Sequence, residues 1–187
     1  KDDLYPANFS TFVKEGLMSV GLEGKSRPGF FKGVSTIVLK LFNIVRPDVA
    51  YFGKKDIQQL RVVQKIVKDL NVAVKIIGMD TIRSGSGLAM SSRNQYFSKE
   101  KKIELGRIYG ALRIGKKEVL RGINNPELIK NSIKEALLKI KNIKIDYIEI
   151  GGLQDLKRVK IVDQSVIISL AVWVDGTRLI DNIEVNL

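Results

Sequence analysis

The stretch Gly87-Leu88-Ala89-Met90-Ser91-Ser92-Arg93-Asn94 sets two adjacent hydroxyls beside a guanidinium, behind an opening glycine. Serine hydroxyls donate to phosphate oxygens, and arginine offers a planar fork of donors that stays protonated at physiological pH. The combination suits a loop that grips a polyphosphate. Read alone, the same residues also make an ordinary polar surface turn, so the surrounding chain decides between the two.

Upstream lies Val49-Ala50-Tyr51-Phe52-Gly53-Lys54-Lys55-Asp56-Ile57-Gln58-Gln59-Leu60. The four apolar residues after Pro47-Asp48 read as a buried strand, and Ile57, Leu60, Val63, Val67 and Leu70 then recur at helical spacing. A second apolar run, Val72 to Ile77, follows at once. Strand, helix and strand in that order favour a parallel pair with a crossover helix. In such units nucleotides bind at the carboxyl end of the strand, facing the helix N-terminus. Gly53, Lys54, Lys55 and Asp56 fall there. Gly53 permits close backbone approach and Lys55 can neutralise phosphate charge, while Asp56 can accept from ribose hydroxyls or simply cap the helix.

Together with Glu23-Gly24-Lys25-Ser26-Arg27-Pro28-Gly29-Phe30-Phe31-Lys32-Gly33-Val34-Ser35-Thr36, these motifs resemble the pantoate–β-alanine ligase family nearly end to end. The family pattern runs Glu-Gly, then Arg-Pro-Gly-His-Phe with Gly-Val, then Arg-Pro-Asp, Phe-Gly-Glu-Lys-Asp with a Gln-Gln pair, and Gly-Leu-Ala-Met-Ser-Ser-Arg-Asn. The closing Arg178-Leu179-Ile180-Asp181-Asn182 also looks like the family's end. The resemblance implies an ATP-dependent ligation of pantoate with β-alanine through pantoyl adenylate, with AMP and pyrophosphate released and Mg²⁺ as cofactor. It places Gly53, Lys54, Lys55 and Asp56 on ATP, with Lys55 on phosphate and Asp56 on ribose. Ile82 would supply backbone contacts to adenine, and Met90, Ser91, Ser92 and Arg93 would close over the phosphates. Lys55 and Arg93 are the implied catalytic pair, and Gln59, one turn into the helix, would bind pantoate. A cytoplasmic homodimer is implied for the complete enzyme.

The chain contains no histidine, whereas the family carries a His-x-Gly-His signature near its N-terminus. Lys1-Asp2-Asp3-Leu4-Tyr5-Pro6 looks like a segment that the family places after the first half of its nucleotide-binding domain. The expectation is therefore a C-terminal two-thirds of the enzyme, inactive by itself. Three departures lie within the matching region: Phe30 stands where the family has His, Lys54 where it has Glu, and Ser86 where Asp commonly precedes Gly-Leu-Ala.

Composition fits a folded, water-soluble protein, with 44% apolar and 28% charged residues. No apolar run approaches the roughly 20 residues that span a bilayer, and no leader pattern is present. Absence of cysteine excludes disulfides and thiol catalysis, and no carboxylate cluster has metal-ligand spacing. The net charge of +12 raises nucleic acid as a partner. However, basic residues outnumber acidic ones 15 to 8 in residues 1–98 and 17 to 12 beyond, so the excess is spread along solvated faces. No nucleic-acid or membrane partner is expected; the field can still attract anionic substrates.

The expected architecture is α/β. Residues 1–97 read as the C-terminal half of a Rossmann-like nucleotide-binding domain: an extended segment over 9–13, a helix over 34–45 stopped before Pro47, the strand, helix and strand unit, and the serine loop. Residues 98–187 read as a small α+β lid domain with an antiparallel sheet. In it, Ser98 would cap a helix whose stripe is Ile103, Leu105, Ile108, Leu112 and Ile114, ending near Gly122. Asn125-Pro126-Glu127 would open a second helix, and 145–150, 158–162 and 166–174 read as strands, with Asp175-Gly176 turning into 178–180. Two other functions remain open at this level: a non-catalytic nucleotide-binding module, and a nucleotidyltransferase of the same broad fold.

Overall fold

The computed structural model describes residues 4–187 and divides into two compact units, Lys1–Met79 and Asp80–Leu187. Lys1, Asp2 and Asp3, the start of the Lys-x-Leu-Tyr-Pro segment, lie outside the described residues. The division falls upstream of the 97/98 boundary read from sequence. The residues between the two boundaries are held by the second unit, because Leu88 and Phe97 are buried in its core and Arg83 is bound to Asp181.

The first unit holds α1 (Leu22–Ser26), α2 (Phe30–Val45), β1 (Val49–Gly53), α3 (Ile57–Asp69) and β2 (Lys75–Met79). β1 and β2 pair in parallel, with Val49 opposite Lys75 and Gly53 opposite Met79. α2 ends at Arg46, which takes a left-handed conformation ahead of Pro47. Phe31 of α2 packs with Val62 and Ile66 of α3, bordered by Met18, Phe30 and Val34. β1 is not the buried strand its four apolar residues suggest: Tyr51 is 65% exposed. Tyr51 and Gly53, two residues apart and so on one face of the strand, are both exposed, and within the described residues that part of β1 goes uncovered. Residues 9–13 form no strand, and β2 starts later than its apolar run, after Asn71 turns the chain with a φ of 51°.

In the second unit, a three-stranded antiparallel sheet in the order β3 (Ile143–Gly152), β4 (Val166–Val174), β5 (Thr177–Val185) packs against α5 (Arg107–Leu120) and α6 (Pro126–Leu137). Alternate residues of β4, Val166, Ile168, Leu170 and Val172, join Leu112, Ile129, Ile133 and Leu137 in one apolar core. Asn125 caps α6 by accepting from Glu127 and Leu128 N–H groups at 2.9 and 3.4 Å. The turn between β4 and β5 has positive φ at both Asp175 and Gly176, the form that suits a two-residue hairpin.

Two expectations fail here. The single helix after Ser98 is two, α4 (Lys99–Leu105) and α5, although Ser98 does cap the first through its hydroxyl. The break falls at Gly106, where a Cβ would lie 2.1 Å from the Ser86 carbonyl oxygen; the stripe splits accordingly, leaving Ile103 67% exposed. Residues 158–162 form no strand. Val159 donates to Ile150, but Val162 donates to Asn124, so the segment changes partner before a ladder can extend.

Candidate functional site

The residues singled out from sequence fall into two groups, one in each unit. In the first unit, Gly53 ends β1, Lys54, Lys55 and Asp56 form a single 3₁₀ turn, and α3 starts at once. This is the carboxyl end of a parallel strand running into a helix N-terminus. Gly53 has ordinary extended geometry, and a Cβ on it would meet nothing of the chain within 4 Å. The fold itself thus places no demand for glycine there. Lys55 is mostly buried along its side chain and lies 3.9 Å from the half-exposed Asp56 carboxylate. That carboxylate does not cap α3, which removes capping as the explanation for Asp56. The stem of Lys54 runs beside Gly78 of β2.

The Gln-Gln pair divides its labour. Gln58 is 3% exposed, and its amide accepts from the Glu23 N–H at 2.9 Å while donating to the Met18 and Gly21 carbonyls at 2.8 and 3.1 Å. It ties residues 18–23 to α3. Gln59 is half-buried and has no side-chain partner among the described residues. Spacing carries no signal for this difference, since Gln58 leads Val62 and Gln59 leads Val63 at the same interval of four and both valines are buried.

The second group sits on a tight hairpin. Ser84 N–H donates to Leu88 and Met90 N–H to Ile82, with Arg83 and Ala89 bridged. Gly87 turns the chain at a φ of 95°, which a side chain would strain. Ser91 then starts a 3₁₀ turn, its hydroxyl accepting from the Arg93 N–H at 3.3 Å. Asn94 is buried and donates to the Ala89 carbonyl at 3.1 Å, locking the turn beneath the hairpin. Ser92 and Arg93 are exposed, and so are Ile82 and Met90. Arg93 has no ion-pair partner among the described residues.

Arg83 carries the structural burden that motif reading did not assign. Its guanidinium makes two bonds to Asp181, reaches the Gly87 carbonyl at 3.2 Å, and lies 3.5 Å over the Tyr109 ring. One largely buried side chain therefore joins the hairpin to β5 and α5. Ser86 adds a bond from its hydroxyl to the Lys102 carbonyl at 3.3 Å.

Comparison with known proteins agrees on one family. The sequence model of the family described as pantoate-beta-alanine ligase matches residues 1–184. The chain is 47% identical over 182 residues to the pantothenate synthetase of Carboxydothermus hydrogenoformans, covering 97% of this chain and 64% of that protein. For the pantothenate synthetase of a Sulfurihydrogenibium species the figures are 47% over 184 residues, 98% and 66%. The chain thus spans about two thirds of the length of the curated relatives it matches. Among solved structures, pantothenate synthetase from Thermus thermophilus superposes with a TM-score of 0.92 at 36% identity, covering all of this chain and 67% of that one. The pantoate-beta-alanine ligase of Francisella tularensis, crystallised with beta-gamma ATP and beta-alanine, gives a TM-score of 0.73 at 34% identity, covering 98% and 61%.

Proposed function

The chain belongs to the pantoate-beta-alanine ligase family, and from that premise we propose that it carries ATP- and pantoate-binding parts of an AMP-forming ligase that joins pantoate to β-alanine. In the first step a pantoate carboxylate oxygen attacks the α-phosphorus of ATP and pyrophosphate leaves. In the second, the amine of β-alanine attacks the acyl carbon of pantoyl adenylate, AMP leaves, and the nitrogen loses a proton. Both steps develop negative charge on phosphate oxygens, which fixed cationic donors stabilise.

The observation that carries this reading is how little of the motif chemistry the fold consumes. Gly53 leaves room at the strand end, Asp56 does not cap α3, Gln59 has no partner among the described residues, and Arg93 is exposed without an ion pair there. In this reading Lys55 in the first unit and Arg93 in the second are each assigned to phosphate, and Gly53, Lys54, Met90, Ser91 and Ser92 to ATP. Asp56 takes the ribose, the Ile82 backbone takes adenine, and Gln59 takes a hydroxyl or carboxylate of pantoate. The Francisella relative, crystallised with an ATP form and β-alanine, supports the substrate class.

Mg²⁺ accompanies the nucleotide in this reading. Among the described residues no group of three or more His, Cys, Asp or Glu side chains is placed to hold an ion, so the residues present do not fit a protein-built metal cage, and no step is assigned to one. For the whole ligase we infer a cytoplasmic homodimer; among the described residues no helix is long and apolar enough to cross a membrane.

Because the chain has no histidine, we infer that it binds substrates without turning them over. Calorimetry of the purified chain with ATP, and with pantoate in the presence of ATP, tests the binding reading; absence of ATP binding by the folded chain removes it. Pyrophosphate release with pantoate, with other hydroxy acids and with no acid tests the reaction class. Robust turnover by the chain alone would refute the inactivity.

A further inference from the structure

The segment leading into α2 folds around a cleft of about 450 Å³ that none of the nucleotide or pantoate assignments uses. Lys14, Lys25, Arg27 and Lys32 line it, with Ser19 and Gly29 between them. None of the four cations has an ion-pair partner among the described residues. The carboxylates that stand near them in sequence are engaged: Glu15 is buried and accepts from the Leu17 and Ser19 N–H groups at 2.8 and 2.7 Å, and Glu23 is buried and also bonded. A concave surface lined by one sign of charge concentrates the field inside it and draws in counter-charge.

The cleft is also held in shape before any ligand arrives. Arg27 lies 3.5 Å over the Phe30 ring and Lys32 3.7 Å over Phe12, which restrains both heads. Gln58 grips Met18, Gly21 and Glu23 from α3, so the wall from 18 to 23 is tethered at three points. Gly24 lets that wall close, since a Cβ there would sit 1.8 Å from the Ser19 carbonyl oxygen. α2, a helix of 16 residues, begins at the cleft with Gly29 as its N-cap, no capping side chain and no acid in its first turn. Phe30 N–H is taken by the Arg27 carbonyl at 3.1 Å, and the positive dipole end of the helix adds to the same field.

We propose that this cleft, whose Gly24, Arg27 and Gly29 belong to the first of the family-like motifs, is a binding site for a phosphate group in addition to the nucleotide and pantoate positions assigned above. Charge selects the ligand: a lone carboxylate meets one cation and leaves three uncompensated, whereas a phosphate brings close to two charges and the oxygens to bridge several donors, with the Arg27 fork suited to two of them. Val20 and Phe31 give the lining an apolar wall, so a phosphate ester with a short alkyl body fits alongside free phosphate.

The test is titration calorimetry of the full chain at low ionic strength with inorganic phosphate and with butyl phosphate as probes. Saturable binding is expected that weakens as salt rises and falls about tenfold or more in Arg27→Gln/Lys32→Gln. Val20→Glu, which adds a carboxylate at a lining position that is 72% exposed, gives the same loss without touching the packing. Tighter binding of butyl phosphate identifies an ester, equal binding free phosphate, and each supports the site. Binding insensitive to Val20→Glu, or no saturation at all, overturns the proposal. Loss of the signal in Arg93→Gln also overturns it, by assigning the phosphate to the serine loop.

Discussion

Arg83 and Asp181, 98 residues apart in the chain, meet through two parallel hydrogen bonds, Nη1 to Oδ2 at 2.6 Å and Nη2 to Oδ1 at 3.0 Å. Asp181 is 4% exposed, and the pair fastens the hairpin ahead of the serine turn to the edge strand β5. This ion pair therefore helps to fix the phosphate loop of the proposed site, together with the buried Leu88 and Phe97 and the Asn94 bond to Ala89.

Removing one partner strands a buried charge. Asp181→Leu should destabilise the second unit by about 3–5 kcal/mol, while Arg83→Met/Asp181→Leu together should recover part of that loss. Denaturant unfolding of the single and double variants checks this. Equal losses in Asp181→Leu and the double variant would mean that packing, not charge pairing, is what Asp181 supplies.

The two neighbouring glutamines should separate cleanly. Gln58→Leu leaves two carbonyls and one N–H without their partner, at about 1–3 kcal/mol for each group kept from water, and should loosen the amides of 18–23 in hydrogen exchange. Gln59→Leu should leave stability within about 0.5 kcal/mol and weaken pantoate binding about tenfold or more while sparing ATP. Equal effects on both ligands would move Gln59 out of the pantoate role.

Arg93→Lys keeps the charge but gives up the planar fork, so ATP affinity should fall about tenfold or more with no change in the unfolding midpoint. Titration calorimetry beside a melting curve reads both. An unaltered ATP affinity would detach Arg93 from the phosphates.

Acid sensitivity should concentrate in the second unit. The Glu104 carboxylate accepts from the Lys141 N–H at 2.8 Å and from Lys101 Nζ at 2.9 Å, which together hold its pKa below the ordinary 4.5. Glu127 is lowered as well, chiefly by its bond to Lys130. A carboxylate whose folded value is depressed contributes stability that is fully present above the unfolded value of 4.5 and is lost as pH falls through the folded one. Stability should thus be flat above about pH 5 and decline below 4.5, and Glu104→Gln should shrink that decline. Unfolding curves between neutral and acid pH provide the measurement.

Local chemistry was readable in the chain itself. The apolar run before Gly53 and the helical spacing from Ile57 fixed the order of strand, helix and strand, and the parallel pairing of Val49 with Lys75 agrees. Ser98 and Asn125 announced their helices because a cap bonds to N–H groups only two or three residues away. Asp175-Gly176 announced its turn because few other pairs accept positive φ twice. The motifs from Gly53 to Asp56 and from Gly87 to Asn94 were enough to indicate the family.

Tertiary structure alone decided which polar groups the fold consumes. Gln58 and Gln59 are identical in type and adjacent, and only the placement of Met18, Gly21 and Glu23 makes one a tether. Ile103 to Ile114 read as one helix until the Ser86 carbonyl takes the space beside Gly106. Residues 158–162 have the composition of a strand, yet they change partner from Ile150 to Asn124. The cations of the cleft are spread from Lys14 to Lys32 in sequence, with no periodicity linking them. Periodicity, caps and turns act between residues a few positions apart and so leave a mark in sequence; ion pairs, close approaches and clefts depend on where distant segments come to rest, and that is set by the packing of the whole unit.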